Sequence, residues 1–172
     1  RGYVVATDGN VSTRFGDKHF LVSPSGIRKS SAKPQQIVKC LLNGKPVSST
    51  QKPSSEIAMH VRIYQHRTDV TTVVHAHPPY TVALSIAKIP FDRVLMPEAA
   101  VVLGKVFVVP YFTPTTKEVE YALDEEHLRD GNTFVLERHG TVTFGDSLEQ
   151  AYQRLEVLEH TSKIFYFAYQ LG

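Results

Sequence analysis

Tryptophan is absent from these 172 residues, methionine occurs twice and cysteine once. The single thiol, Cys40, cannot close an internal disulfide, which excludes a disulfide-stapled scaffold within the chain. A reducing, cytoplasmic setting is the expectation. No apolar run approaches the length needed to span a bilayer. Neither charge dominates: Lys plus Arg is 19, Asp plus Glu is 17, and the formal net charge is +2. The charges are scattered rather than massed, which argues against nucleic acid or a membrane as the main partner. No Gly-x-Gly-x-x-Gly and no P-loop spacing are found, so the familiar nucleotide-binding loops are missing. There is no internal repeat, low-complexity segment or linker. No signal-peptide pattern opens the chain. Arg1-Gly2-Tyr3-Val4 reads like the middle of a domain, and residues before it are expected to be missing.

What remains is an ordinary globular composition, 42% apolar and 21% charged, at a length that suits one packed domain. Val11 to Phe15 and His19 to Val22 read as short strands joined by Gly16-Asp17-Lys18. Ile37 to Leu42 is a strand candidate followed by Asn43-Gly44, a strong hairpin signal. Pro53-Ser54-Ser55-Glu56 opens a helix in which Ile57, Val61 and Tyr64 share a face, ending near Arg67. Val70 to Val74 is a β-branched strand, and Tyr80 to Ala87 a short helix. Val101 to Val109, nearly all apolar, reads as a strand with a turn at Gly104-Lys105. Lys117 to Leu128 reads as one helix with a charged outer face. Thr133 to Leu136 and Thr141 to Phe144 read as strands. The last helix opens at Ser147, with Gln150 completing a capping box and Leu148, Ala151, Tyr152, Leu155 and Leu158 as its buried stripe. Strands alternating with helices after early hairpins predict an α/β fold, a sandwich with a mixed sheet.

Chemistry concentrates at element ends. Val73-Val74-His75-Ala76-His77-Pro78-Pro79 is a buried strand stopped by two prolines. Side chains alternate along a strand, so His75 and His77 point the same way. They read either as half of a metal site or as surface histidines near a turn. His139 follows another buried strand, and Gly140 is expected to let the backbone turn sharply there. Three imidazoles at one sheet edge, with a position left open, would suit catalytic zinc. Glu56, at a helix start, is either a dipole-stabilising carboxylate or a proton carrier beside a metal. His60, one turn after Glu56, could pair with it on a metal, but the other three are better ligands. His19, His66, His127 and His160 read as surface or packing residues, and Tyr80, Tyr111 and Phe112 as core. A tyrosine near a metal could also serve as a proton donor. The small-residue loops at Gly9-Asn10, Ser25-Gly26 and Ser54-Ser55 are each a common turn or cap. Together they could bind a phosphate without a lysine.

Thr7-Asp8-Gly9-Asn10-Val11-Ser12, Ser23-Pro24-Ser25-Gly26, Pro53-Ser54-Ser55-Glu56-Ile57-Ala58-Met59-His60, His75-Ala76-His77-Pro78 and Arg138-His139-Gly140 occur in this order. That ordered set resembles the class II aldolase/adducin family, in particular its fuculose-phosphate-aldolase-like branch, over nearly the whole chain. The resemblance implies a three-layer α/β/α sandwich around a mixed, largely antiparallel sheet. It implies that residues 1–172 form a single domain that lacks its N-terminal helix in this chain. It implies one zinc per subunit, or another divalent metal, held by His75, His77 and His139. Glu56 would be the catalytic acid/base and would also ligate the metal when substrate is absent. Asn10, Ser25, Gly26, Ser54 and Ser55 would hold the substrate phosphate. The assembly implied is a homotetramer with active sites at subunit interfaces. The reaction implied is cleavage of a ketose 1-phosphate to dihydroxyacetone phosphate and an aldehyde through a metal-stabilised enediolate. An epimerase, dehydratase or decarboxylase of the same family shares those ligands, and a non-catalytic adducin-like scaffold is a further alternative. So is a hydrolase using zinc-bound hydroxide. Two departures stand out. Asp8 occupies a position where the family usually has a small neutral residue, and the aldolase's catalytic tyrosine has no clear match around residues 93–99.

Overall fold

A computed structural model describes the chain apart from residues 49, 92–95 and 117. The element order begins with β1 (Asn10–Phe15), β2 (His19–Val22), β3 (Val38–Leu41), β4 (Pro46–Ser48), α1 (Ile57–His66), β5 (Thr72–Ala76) and α2 (Pro79–Ile86). It continues with α3 (Pro97–Leu103), β6 (Val106–Val109), α4 (Val119–Ala122), α5 (Glu125–Asp130), β7 (Thr133–Leu136), β8 (Gly140–Gly145) and α6 (Leu148–Leu171). The eight strands form one sheet in the order β4-β3-β2-β1-β5-β8-β7-β6. Among the described residues only β6 and β7 pair in parallel; the other ladders are antiparallel. No described helix is long and apolar enough to cross a membrane.

The central strands β5, β7 and β8 are buried along their whole length, as strands covered on both faces must be. Period two divides their side chains between two cores. Val73 and Phe134 face a layer that includes Ile63 and Tyr64 of α1, Val119 of α4 and Leu128 of α5. Val74 and Ala76 face Ala151 and Leu155 of α6, and Val135 meets Ala99 and Leu103 of α3 with Leu158 of α6. The sheet is therefore sandwiched between two helical layers.

Three expected elements differ. Val101 to Val109 is not one strand with a turn: residues through Leu103 belong to α3, and only Val106–Val109 are extended. Pro97 at the first helical turn and Glu98 beside the N-terminal dipole start a helix, and Ala99 and Leu103, four apart, bury one face. A short apolar run does not by itself distinguish strand from buried helix. The single helix expected from Lys117 to Leu128 is two, α4 and α5. Asp124 leaves helical geometry and its side chain accepts from the His127 amide at 2.9 Å, starting a new helix. Its expected start, Lys117, lies outside the described residues, as do residues 93–95. On α6, Ser147 caps the Gln150 amide as expected, at 3.2 Å. The Gln150 side chain, however, returns to the Asp146 amide. The buried face is Ala151, Leu155, Leu158, Glu159 and Ser162, while Leu148 and Tyr152 are exposed. Tyr111, expected in the core, is likewise exposed.

Candidate metal centre

Sheet register assembles the site. β5 runs between β1 and β8, so His75 lies opposite Asn10 on one side and Val142 on the other. β7 and β8 are joined by Glu137-Arg138-His139, which places His139 beside the end of β5. The three imidazole rings stand 4.8, 4.9 and 5.0 Å apart between centroids. One nitrogen from each of His75, His77 and His139 lies within 4.8 Å of the other two. The structure thus brings together the three ligands expected from sequence.

Gly140 serves this cluster differently from the sharp turn expected. Its backbone angle is not in the left-handed region; Arg138 takes that conformation instead, at φ 60°. A side chain at Gly140 would press on the Ala76 carbonyl, come within 2.7 Å of His77 Cδ2 and within 3.2 Å of His75 Cε1. Glycine here makes room for the imidazoles. Gly9 does need its positive φ, 66°, and a Cβ there would also meet the His75 carbonyl at 2.9 Å.

Glu56, half-buried at the start of α1, reaches into the cluster. Its Oε2 lies 3.2 Å from His75 Nε2 and its Oε1 lies 3.2 Å from His139 Nε2. Asn10 Nδ2 donates to Oε2 at 2.9 Å. Burial alone would raise this carboxyl. Hydrogen bonds from His139 and His75, and their positive charge, hold it well below the usual carboxylate range. Burial and the neighbouring imidazoles push His77 down to about 4, against the pull of Asp8 and Glu56, so His77 is neutral at pH 7 and fit to ligate.

The donor set fits a metal ion. His75 Nδ1 faces the Thr141 carbonyl at 2.9 Å, which only an N–H can satisfy. Were the ring neutral, its Nε2 lone pair would face Glu56 Oε2 at 3.2 Å, with His77 Nε2 3.0 Å away. Electron-rich atoms at such separations require a cation among them, a proton or a metal. The carbonyl contact also orients His75 as an outer partner orients a metal-bound histidine.

The phosphate candidates are stitched side by side. Ser23 Oγ accepts from the Val11 amide at 3.1 Å, and the Ser54 amide donates to the Ser23 carbonyl at 3.2 Å. The Ser25 amide donates to the Lys52 carbonyl at 2.9 Å. Ser25, Gly26 and Ser55 are exposed, whereas Ser54 is buried with its Oγ accepting from the Glu56 amide at 3.3 Å. Asn10 is turned toward Glu56. Asp8 Oδ2 lies 3.7 Å from His77 Nδ1.

Sequence reading missed two participants. Lys29 Nζ donates to the Thr7 carbonyl at 2.6 Å, placing a cation against the first loop where none was expected. No sequence signal ties residues 7 and 29. His60, set aside as a weaker metal ligand than the other three, is fully buried and hydrogen-bonded through both ring nitrogens, to Asn10 and Ser12. Its spacing from Glu56 was the available signal. Tyr111 lies under Arg138 at 5.3 Å, and its amide donates to Glu137.

The chain is similar to proteins of known activity and structure over nearly its whole length. The chain is 34% identical over 166 residues to L-fuculose phosphate aldolase of Methanococcus maripaludis strain S2, covering 96% of this chain and 88% of that protein. It is 32% identical over 170 residues to 3-oxo-tetronate 4-phosphate decarboxylase of Escherichia coli K12, covering 96% and 79%. The crystal structure of L-fuculose-1-phosphate aldolase from Thermus thermophilus superposes with a TM-score of 0.85 at 28% identity, covering 99% of this chain and 87% of that one. Residues 1–166 match the family described as Class II Aldolase and Adducin N-terminal domain, and the chain therefore belongs to that family.

Proposed function

We propose that this protein is a metal-dependent carbon–carbon lyase acting on a phosphorylated sugar, and that its reaction is aldol cleavage of a ketose 1-phosphate. The observation that carries the reading is the position of Glu56, one carboxylate shared between two of three convergent imidazoles. His75, His77 and His139 would hold the metal, zinc by preference for an all-imidazole set. A bound divalent cation supplies Lewis-acid stabilisation of charge on substrate oxygens. The residues of the chain do the rest. Glu56, kept ionised by its neighbours, takes or returns a proton at the carbon next to the carbonyl. The linked loops offer the phosphate the Gly26 and Ser55 amides and the serine hydroxyls, the Ser25 and Ser54 amides being given to the Lys52 and Ser23 carbonyls. Asn10 would reach the phosphate only with the amide hydrogen not given to Glu56. Lys29, beside the first loop, adds positive charge near the anion. Tyr166, Phe167, Tyr169 and Leu171 on α6 are exposed, which supports the homotetramer that the family resemblance implies.

Decarboxylation of a 3-oxo acid phosphate is the second reading. The 32% identity to a 3-oxo-tetronate 4-phosphate decarboxylase favours it, and that reaction needs one proton, taken from solvent and relayed by Glu56 to the carbon that loses carbon dioxide. The test offers zinc-loaded and chelated protein a panel of ketose 1-phosphates and 3-oxo acid 4-phosphates. Dihydroxyacetone phosphate release that requires zinc and is lost in Glu56→Gln, with zinc still bound, is the expected result. Carbon dioxide release instead selects the decarboxylase, and neither product from metal-replete protein refutes a lyase.

A further inference from the structure

Glu56 stands at the end of a buried hydrogen-bond chain. Asn10, His60, Ser12 and Tyr64 are all at most 3% exposed. Asn10 Nδ2 is 2.9 Å from Glu56 Oε2, and Asn10 Oδ1 is 2.5 Å from His60 Nε2. His60 Nδ1 is 2.6 Å from Ser12 Oγ, and Ser12 Oγ is 2.8 Å from Tyr64 OH.

Donor and acceptor capacity allows this chain one direction. An ionised carboxylate can only accept, so Asn10 must turn its NH2 group to Glu56. Asn10 Oδ1 then faces His60, and it too can only accept, so His60 Nε2 must carry hydrogen. A neutral imidazole has one N–H, which leaves Nδ1 as the acceptor for the Ser12 hydroxyl. Ser12, having given its only hydrogen, accepts from Tyr64. Flipping the Asn10 amide would set its oxygen against Glu56 Oε2. Inverting the tautomer would set the Nε2 lone pair against Asn10 Oδ1. Burial favours the neutral ring throughout.

We propose that His60, as the Nε2–H tautomer, is a positioning residue that acts through Asn10 to clamp Glu56 Oε2 and so leaves Oε1 to move the proton. The catalytic consequence rests on the reading of Glu56 as proton carrier; the direction of the chain does not. The arrangement also keeps His60 out of the metal set, because both of its nitrogens are engaged elsewhere. Tyr64 closes the far end: its one hydrogen goes to Ser12 at 2.8 Å, and the Thr71 carbonyl, 3.2 Å away, is the competing acceptor for that hydrogen.

Two measurements test this. Nitrogen-15 NMR of the chelated protein at neutral pH reads the tautomer without any activity. His60 protonated at Nε2 and bare at Nδ1 is expected, and Ser12→Ala should shift that population. The opposite tautomer, or an imidazolium, overturns the proposal. Kinetics of zinc-loaded variants test the consequence on whichever substrate is cleaved. His60→Leu should lower kcat by about ten- to a hundred-fold with KM little changed, as expected for a misplaced catalytic group. His60→Gln, whose amide can donate from a position like Nε2 and accept from Ser12, should recover most of that loss, with zinc affinity equal in all variants. Equal losses in the two variants would reduce His60 to packing and refute positioning. If no substrate is cleaved, the lyase reading fails, and the tautomer measurement still decides the chain's direction.

Discussion

Acid should destabilise this protein through His60, and replacing His60 with glutamine should remove that sensitivity. In the folded chain burial pushes this imidazole from its ordinary value of 6.5 down to about 3, helped by the charge of His75 and opposed by Glu56. The unfolded chain takes up a proton below pH 6.5 while the folded chain does not until about pH 3. The unfolded state therefore binds more protons across that window, and stability falls as pH drops through it. At pH 5 the gap is about 1.5 pH units, or about 2 kcal/mol at 1.36 kcal/mol per unit. Full exclusion from solvent means that water does not screen the effect. Urea unfolding of the chelated protein and of His60→Gln, each at pH 7 and at pH 5, gives the comparison. His77 and the other ionisable groups titrate in both proteins and cancel. The native protein should lose about 2 kcal/mol more than the variant between the two pH values. Equal losses would refute the assignment of a neutral, buried His60.

Three further outcomes follow from the same contacts. Gly140→Ala should abolish zinc binding measured by titration calorimetry and cost about 1–3 kcal/mol in urea unfolding, because the added methyl meets the Ala76 carbonyl and both His75 and His77. Zinc at a hundred times its dissociation constant should raise the unfolding free energy by about 2.7 kcal/mol, chelator should reverse this, and His139→Ala should show none of it. Glu159 accepts from the Tyr80 and Thr81 amides and the Thr81 hydroxyl, at 3.0, 2.9 and 2.9 Å. Glu159→Ala should therefore cost about 2–3 kcal/mol in the same unfolding assay, with Glu159→Gln costing less.

Much of the site was legible because its signals are local. His75 and His77 share a face by strand periodicity, and the structure keeps both in one cluster with His139. The Ser147 cap, the Asn43-Gly44 hairpin and the start of α1 just after Glu56 each depend on a few neighbouring residues. The stretch before Gly104 was not legible, since seven apolar-rich residues suit a buried strand and a helix against α6 equally well.

The chain's own order of residues determined the strand and helix types over most of its length and the common face of His75 and His77. Those follow from period, capping and charge, which act within a few residues. Only the tertiary structure decided that Asn10 lies opposite His75, that Glu56 reaches both His75 and His139, and that His60 backs Asn10 rather than the metal. It also decided that Gly140 is needed for space and not for a turn. These depend on strand register and on which buried donors find acceptors, and partners 46 to 50 residues apart leave no periodic mark in the sequence.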